Sequence, residues 1–140
     1  MASRVDAVVT EMSARDAFPL PLDRPSLVML VDAFYDRVRR DPLLGPVFAG
    51  VIADGEWDHH QERMVSFWST AMLKAKEFRG NVFGKHQAMP QLTPAHFARW
   101  LDLFEETAGM LFAPADADAL LDAARGMARG LQIGLFGRAA

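Results

Sequence analysis

The sequence predicts an all-α protein. Apolar residues recur at helical spacing in four separate stretches, and no stretch alternates with period two over a useful length. Prolines fall between those stretches, at Pro19, Pro21 and Pro25, at Pro42 and Pro46, at Pro90, and at Pro114.

Residues 1–25 form an N-terminal extension. Val5, Val8, Val9 and Met12 have helical spacing, which allows a short helix, and 17–25 reads as a Pro-broken connector. The main domain is expected over 26–140. Ser26 suits an N-cap for a helix over about 27–40, with Leu27, Leu30, Val31, Phe34 and Val38 on one stripe and Tyr35 at its border. Arg37, Arg39 and Arg40 favour the negative end of that helix's dipole, and Asp41-Pro42 stops it. Leu43 to Phe48 reads as a compact apolar turn. After a loop with Gly50, Asp54 and Gly55, a helix is expected from Glu56 to about Lys74, with Trp57, Met64, Phe67, Trp68 and Met72 inward. Neighbouring helical residues diverge by about 100°, so His59 and His60 take different faces. His60 falls in the apolar stripe and His59 on the polar side.

Lys76 to Gly80 is polar and reads as a loop, and Val82 to Ala88 as one turn of helix at most. Thr93-Pro94 opens the next helix, because Thr caps free N–H groups and Pro is tolerated at the first position. Phe97, Trp100, Leu101, Phe104, Ala108 and Leu111 make its inner face, and Ala113-Pro114 ends it. The last helix is expected from Asp116 to Phe136, with Leu120, Leu121, Ala124, Met127, Ala128, Leu131 and Leu135 inward.

A chain of 140 residues suits one domain with a real core. Its 51% apolar and 24% charged residues are globular in balance. A net charge of −3 and a pI of about 5.7, without a basic block, argue against nucleic acid as a partner. Cys is absent, which excludes disulfides, thiolate ligands and a Cys nucleophile. MASRVDAVVTEMS lacks the apolar core of a secretory signal, and no apolar run approaches membrane length. A cytoplasmic protein with no membrane partner is the expectation.

The chemistry centres on Phe78 to Phe104. His86 lies on a short element that ends at Met89-Pro90 and is pinned against the start of a long helix. Two readings stand on spacing alone: an imidazole bound to a metal or cofactor, and a histidine that packs or caps a turn. An interior rich in Phe, Met and Trp is either plain core or the lining of a pocket for a flat apolar cofactor. A carboxylate-bridged or zinc site fits poorly, since the buried stripes offer almost no carboxylates. No P-loop, dinucleotide fingerprint or nucleophile elbow is present.

The segments FYDRVRRDPLLGPVF, EWDHHQERMVSFW and GKHQAMPQLTPAHFARWLDLFEE, in that order, resemble a group III truncated haemoglobin over about residues 26–136. The resemblance implies a shortened globin fold, two helix pairs crossed over a haem b. It implies His86 as the iron ligand. It implies Tyr35, His60 and Trp100 as distal polar residues, Phe48 as the aromatic packed on the haem, and Phe34, Met64 and Phe67 as pocket lining. One departure is in the stretch before His86. It reads Phe78-Arg79-Gly80-Asn81-Val82, where the family often has an aromatic-x-Gly-x-Pro pattern. The extension of residues 1–25 is also longer than the match requires.

The expected ligands are O2, carbon monoxide and nitric oxide. Reversible O2 binding or transport, nitric oxide dioxygenation and a peroxidase-like reaction all stay open, and either reaction needs an external reductase. A haem-free helical module acting in signalling or assembly is the alternative. Arg79, Lys85 and Arg99 are candidates for the haem propionates. His96, on the expected outer face of its helix, is assigned no role.

Overall fold

A computed structural model describes residues 18–76, 86, 89 and 91–137. The helix expected around Val5–Met12, the Phe78–Val82 segment, and Arg79 and Lys85 lie outside them.

Helix α1 spans Arg24–Arg40. Its cap is Asp23, not Ser26. Asp23 Oδ1 accepts from the Ser26 N–H at 2.9 Å, while Ser26 Oγ accepts from the Asp23 N–H at 3.0 Å. This reciprocal box satisfies two donors at once. It starts the helix inside the stretch read as a connector, with Pro25 in the first turn.

The residues before it also belong to the core. Leu20 is 5% exposed, and Phe18 and Leu22 pack beside it. The Leu20 N–H donates to the Leu111 carbonyl at 2.8 Å.

Leu43 to Phe48, expected as a turn, is mostly helix: α2 spans Leu44–Val51. The Asp41 carboxylate is the reason. Its Oδ2 accepts from the N–H groups of Leu43 (3.0 Å) and Leu44 (2.9 Å), occupying donors that a helix start leaves free. The helix is apolar on nearly every side, so no periodic stripe betrays it. It also comes close to the end of α1. A Cβ at Gly45 would sit 2.7 Å from the Arg39 carbonyl oxygen, so glycine is required there.

A 3-10 turn, Asp54–Glu56, leads into α3, Trp57–Leu73. Helix α4 spans Pro94–Leu111 and α5 spans Pro114–Phe136. Pro114 therefore opens α5 as well as closing the link from α4, two residues ahead of the expected start. Gly137 ends α5 in the left-handed region, at φ 81°.

Helix α1 packs on α3, α2 and α4, and α4 packs on α5. The result is an α1/α3 pair and an α4/α5 pair, joined through α1 and α4. No described segment forms a strand.

The buried apolar residues fall into two clusters. The larger joins α1, α3, the middle of α4 and the start of α5, around Phe34, Trp68 and Phe104. The smaller is Phe97, Ala128 and Leu131, flanked by Leu92, Met127, Leu135 and Phe136.

Candidate functional site

A cavity of about 590 Å3 lies between the two clusters. Tyr35, Phe48, Met64, Phe67, Trp68 and Trp100 line it from the larger cluster. Leu92, Phe97, Met127, Ala128 and Leu131 line it from the smaller. His60 and His86 also open onto it.

Tyr35 comes from the middle of α1 and is 4% exposed. Rings hold it on every side: Phe34 at 4.9 Å, His60 at 5.0 Å, and Phe48 and Trp57 at 6.0 Å between centroids. Burial pushes the phenol pKa upward, and a hydrogen bond with Trp100 opposes this more weakly. The hydroxyl therefore keeps its proton and remains a donor. Trp100, on α4, stacks on Phe104 at 5.5 Å and meets the edge of Phe34 at 5.3 Å. Its indole can only donate.

His60, on α3, sits edge-on to Trp57 at 5.6 Å. The Arg39 guanidinium lies 4.5 Å over that indole and covers it from outside. Burial lowers the His60 pKa to about 4, and the nearby Arg63 and His59 add to the effect. The ring is neutral at pH 7. Its Nε2 is buried and has no hydrogen-bond partner among the described residues. An unpaired buried ring nitrogen is costly unless something else meets it.

His86 is helical and half-buried. Its ring lies 6.2 Å from Phe97, tilted by 31°. The Met89 N–H donates to the His86 carbonyl at 2.9 Å, and the Leu92 N–H to the Met89 carbonyl at 3.2 Å. These turns carry the chain from His86 to the start of α4.

Seven of the eight sequence-derived site residues thus meet at one cavity: His86, Tyr35, His60, Trp100, Phe48, Met64 and Phe67. Phe34 does not line it. At 2% exposure it lies behind, between Tyr35, Trp100 and Phe104. Arg99 is also elsewhere: its Nε pairs with Asp41 Oδ1 at 2.7 Å. Burial opposes the Asp41 charge, yet the Leu44 N–H, Arg99 and the Leu43 N–H together hold its pKa below the usual carboxylate value.

Sequence reasoning gave no site role to Phe97, Trp68, Met127 and Leu131. All four were on inward stripes, but a stripe does not distinguish core from cavity wall. His59 is exposed as expected, yet it stands at the cavity, as does His96.

No family model matches the chain. The group 3 truncated hemoglobin ctb of Campylobacter jejuni is 30% identical over 117 residues, which span 82% of this chain and 92% of that protein. The chain is a group III truncated haemoglobin. Among solved structures, the crystal structure of group III truncated hemoglobin from Campylobacter jejuni matches with a TM-score of 0.79 at 29% identity. The match covers 84% of this chain and 94% of that one. The α1/α3 and α4/α5 pairs are accordingly the two layers of a shortened globin fold, and the cavity lies between residues of both. Among the described residues of this truncated haemoglobin, no helix is long and apolar enough to cross a membrane.

Proposed function

We propose that the cavity holds haem b, with His86 as the iron ligand and Tyr35, His60 and Trp100 around a diatomic ligand. One observation carries this reading. One mainly apolar cavity has a histidine beside its smaller cluster and proton donors, the buried Tyr35 among them, beside its larger one. The residues fit a haem. A volume of about 590 Å3 is within the range of cofactor sites, and the walls are mainly apolar and aromatic. The buried, unpaired Nε2 of His60 is suited to a polar ligand that the protein itself does not supply.

Bound there, haem would supply an iron that takes O2, carbon monoxide or nitric oxide at its sixth position. The chain's own part is electrostatic. Tyr35 keeps a proton to donate, the Trp100 indole donates to the Tyr35 hydroxyl and so leaves that proton free for a ligand, and neutral His60 can donate from one nitrogen. The aromatic cluster excludes water, which strengthens each such bond. O2 draws more negative charge onto itself than carbon monoxide does. The same donors therefore favour O2 and slow its release.

Slow release suits chemistry on O2 better than its transport. Nitric oxide dioxygenation is the use this favours; a peroxidase-like reaction is the second, with a peroxide as oxidant in place of O2, and each draws its electrons from an external donor. The first test is the absorption spectrum of the purified protein, with added protohaemin where needed. An intense band near the violet edge of the visible supports the reading. Its absence after reconstitution would leave a haem-free helical scaffold.

A further inference from the structure

We infer that His96 is a specificity residue for a carboxylate carried by the cofactor, an inference that rests on the haem reading above. His96 is the third residue of α4, and its place in the fold fixes its tautomer. The Thr93 backbone N–H donates to His96 Nδ1 at 3.1 Å, and Thr93 Oγ1 lies 2.9 Å from the same nitrogen. A backbone N–H can only donate, so Nδ1 must be the acceptor. In a neutral imidazole the other nitrogen then carries the proton. His96 is thus held as an Nε2–H donor.

The ring is half-buried and lines the cavity. With Nδ1 engaged by Thr93, Nε2–H is the polar group of this cavity-lining ring that is left to meet a ligand. No described residue accepts from that nitrogen. Helix α4 places Phe97, an apolar wall, directly beside it.

A donor at the half-solvated edge of a mainly apolar cavity, with the Arg63 cation also on its lining, suits a ligand that is flat and apolar with an anionic margin. Haem has that form, its two propionates being carboxylates on one side of the ring. Partial exposure also suits this chemistry, since a carboxylate left in contact with water avoids the cost of full desolvation. The Thr93 cap makes the donor stiff, because its acceptor nitrogen is already engaged. This contact would add to selection of a free-acid over an uncharged cofactor, beside the charge of Arg63 on the same cavity.

The test uses the full chain, stripped of cofactor and reloaded with protohaemin or with its dimethyl ester, which lacks the two charges. The readout is the rate at which each cofactor leaves for an excess of a high-affinity acceptor protein. His96→Asn keeps an acceptor where Nδ1 stood, and with it the Thr93 cap, but has no group at the Nε2 position. His96→Gln restores an N–H donor near that position.

The expected result is that His96→Asn speeds loss of protohaemin by about three- to tenfold. Loss of the ester should change by less than about twofold, and His96→Gln should recover most of the difference. Equal acceleration of both cofactors overturns the inference, because it marks a merely structural role. So does no acceleration of either. If the unaltered chain takes up neither cofactor, the haem reading itself fails, and that outcome is distinct from the other two.

Discussion

The two clusters that border the cavity are built differently. The larger is a network of rings. Phe104 stacks on Trp68 at 5.0 Å and on Trp100 at 5.5 Å, and Phe34 meets Tyr35, Trp100 and Phe104 edge-on. Among the described residues the smaller has three buried members, and Phe97 makes ring contacts to His86 and to Phe136. The donors of the first are therefore held by packing before any ligand arrives. Leu131 of the second lines the cavity, so an occupant there would add to its packing.

The strongest test of this difference is His86→Ala. It should abolish stable haem uptake, or leave a pigment that added imidazole restores, as followed by absorption. A normal spectrum in His86→Ala together with its loss in His60→Ala would mean that the two faces have been assigned the wrong way round.

Next in size is a pair of truncations read by chemical denaturation. Phe104→Ala should cost about 3–5 kcal/mol with or without cofactor, because its neighbours are protein side chains in both states. Leu131→Ala should cost about 2 kcal/mol or more in the loaded protein and less than half of that without cofactor. Equal losses for Leu131→Ala in the two states would show that the smaller cluster does not depend on its occupant.

The donors come third. A hydrogen bond to a charged acceptor is worth roughly 1.5–3 kcal/mol, so Tyr35→Phe should speed O2 release by about ten- to a hundredfold. Stopped-flow dissociation of O2 measures this, with Trp100→Phe alongside. If neither substitution exceeds about twofold, the donors are not directed at the ligand.

The smallest effect is acid sensitivity. The folded pKa of His60, about 4, lies below its ordinary value of 6.5. On acidification the unfolded chain takes up this proton first, while the fold resists it. His60 thus leaves stability undiminished above about pH 6.5 and lowers it as pH falls from there toward 4. Allowing for a partly solvated ring, the loss between pH 7 and pH 5 is on the order of 1 kcal/mol. His60→Gln should flatten that part of the stability profile. The Asp41 carboxylate, whose pKa is lowered, weakens the fold only at still lower pH, as it is protonated. An unchanged slope in His60→Gln would show that the ring is not held neutral by burial.

Helical period made α3, α4 and α5 legible, with ends within two residues of those observed. Helix α2 was hidden because an all-apolar segment has no stripe. The start of α1 was misplaced because both Asp23 and Ser26 are cap residues, and the reciprocal bond that ranks them needs three-dimensional contact. Of the eight candidate residues that the resemblance implied, seven line one cavity. Phe34 shows where it stopped: one helical step separates a residue behind Tyr35 from one beside it. His96, expected on an outer face, lines the cavity, because a position near a helix start looks solvated until the neighbouring layer is in place.

The bond from Leu20 to the Leu111 carbonyl bears on the order in which the chain is made. Leu20 leaves the ribosome early, whereas its partner leaves only near the end of α4. Until then α1 lacks both α4 and this tether, and its apolar stripe stays uncovered on that side. Long-range closure of this kind raises the contact order and delays the final collapse of the core. The nascent protein should therefore become protease-resistant in one late step, after α4 has cleared the exit tunnel, and not helix by helix as it emerges.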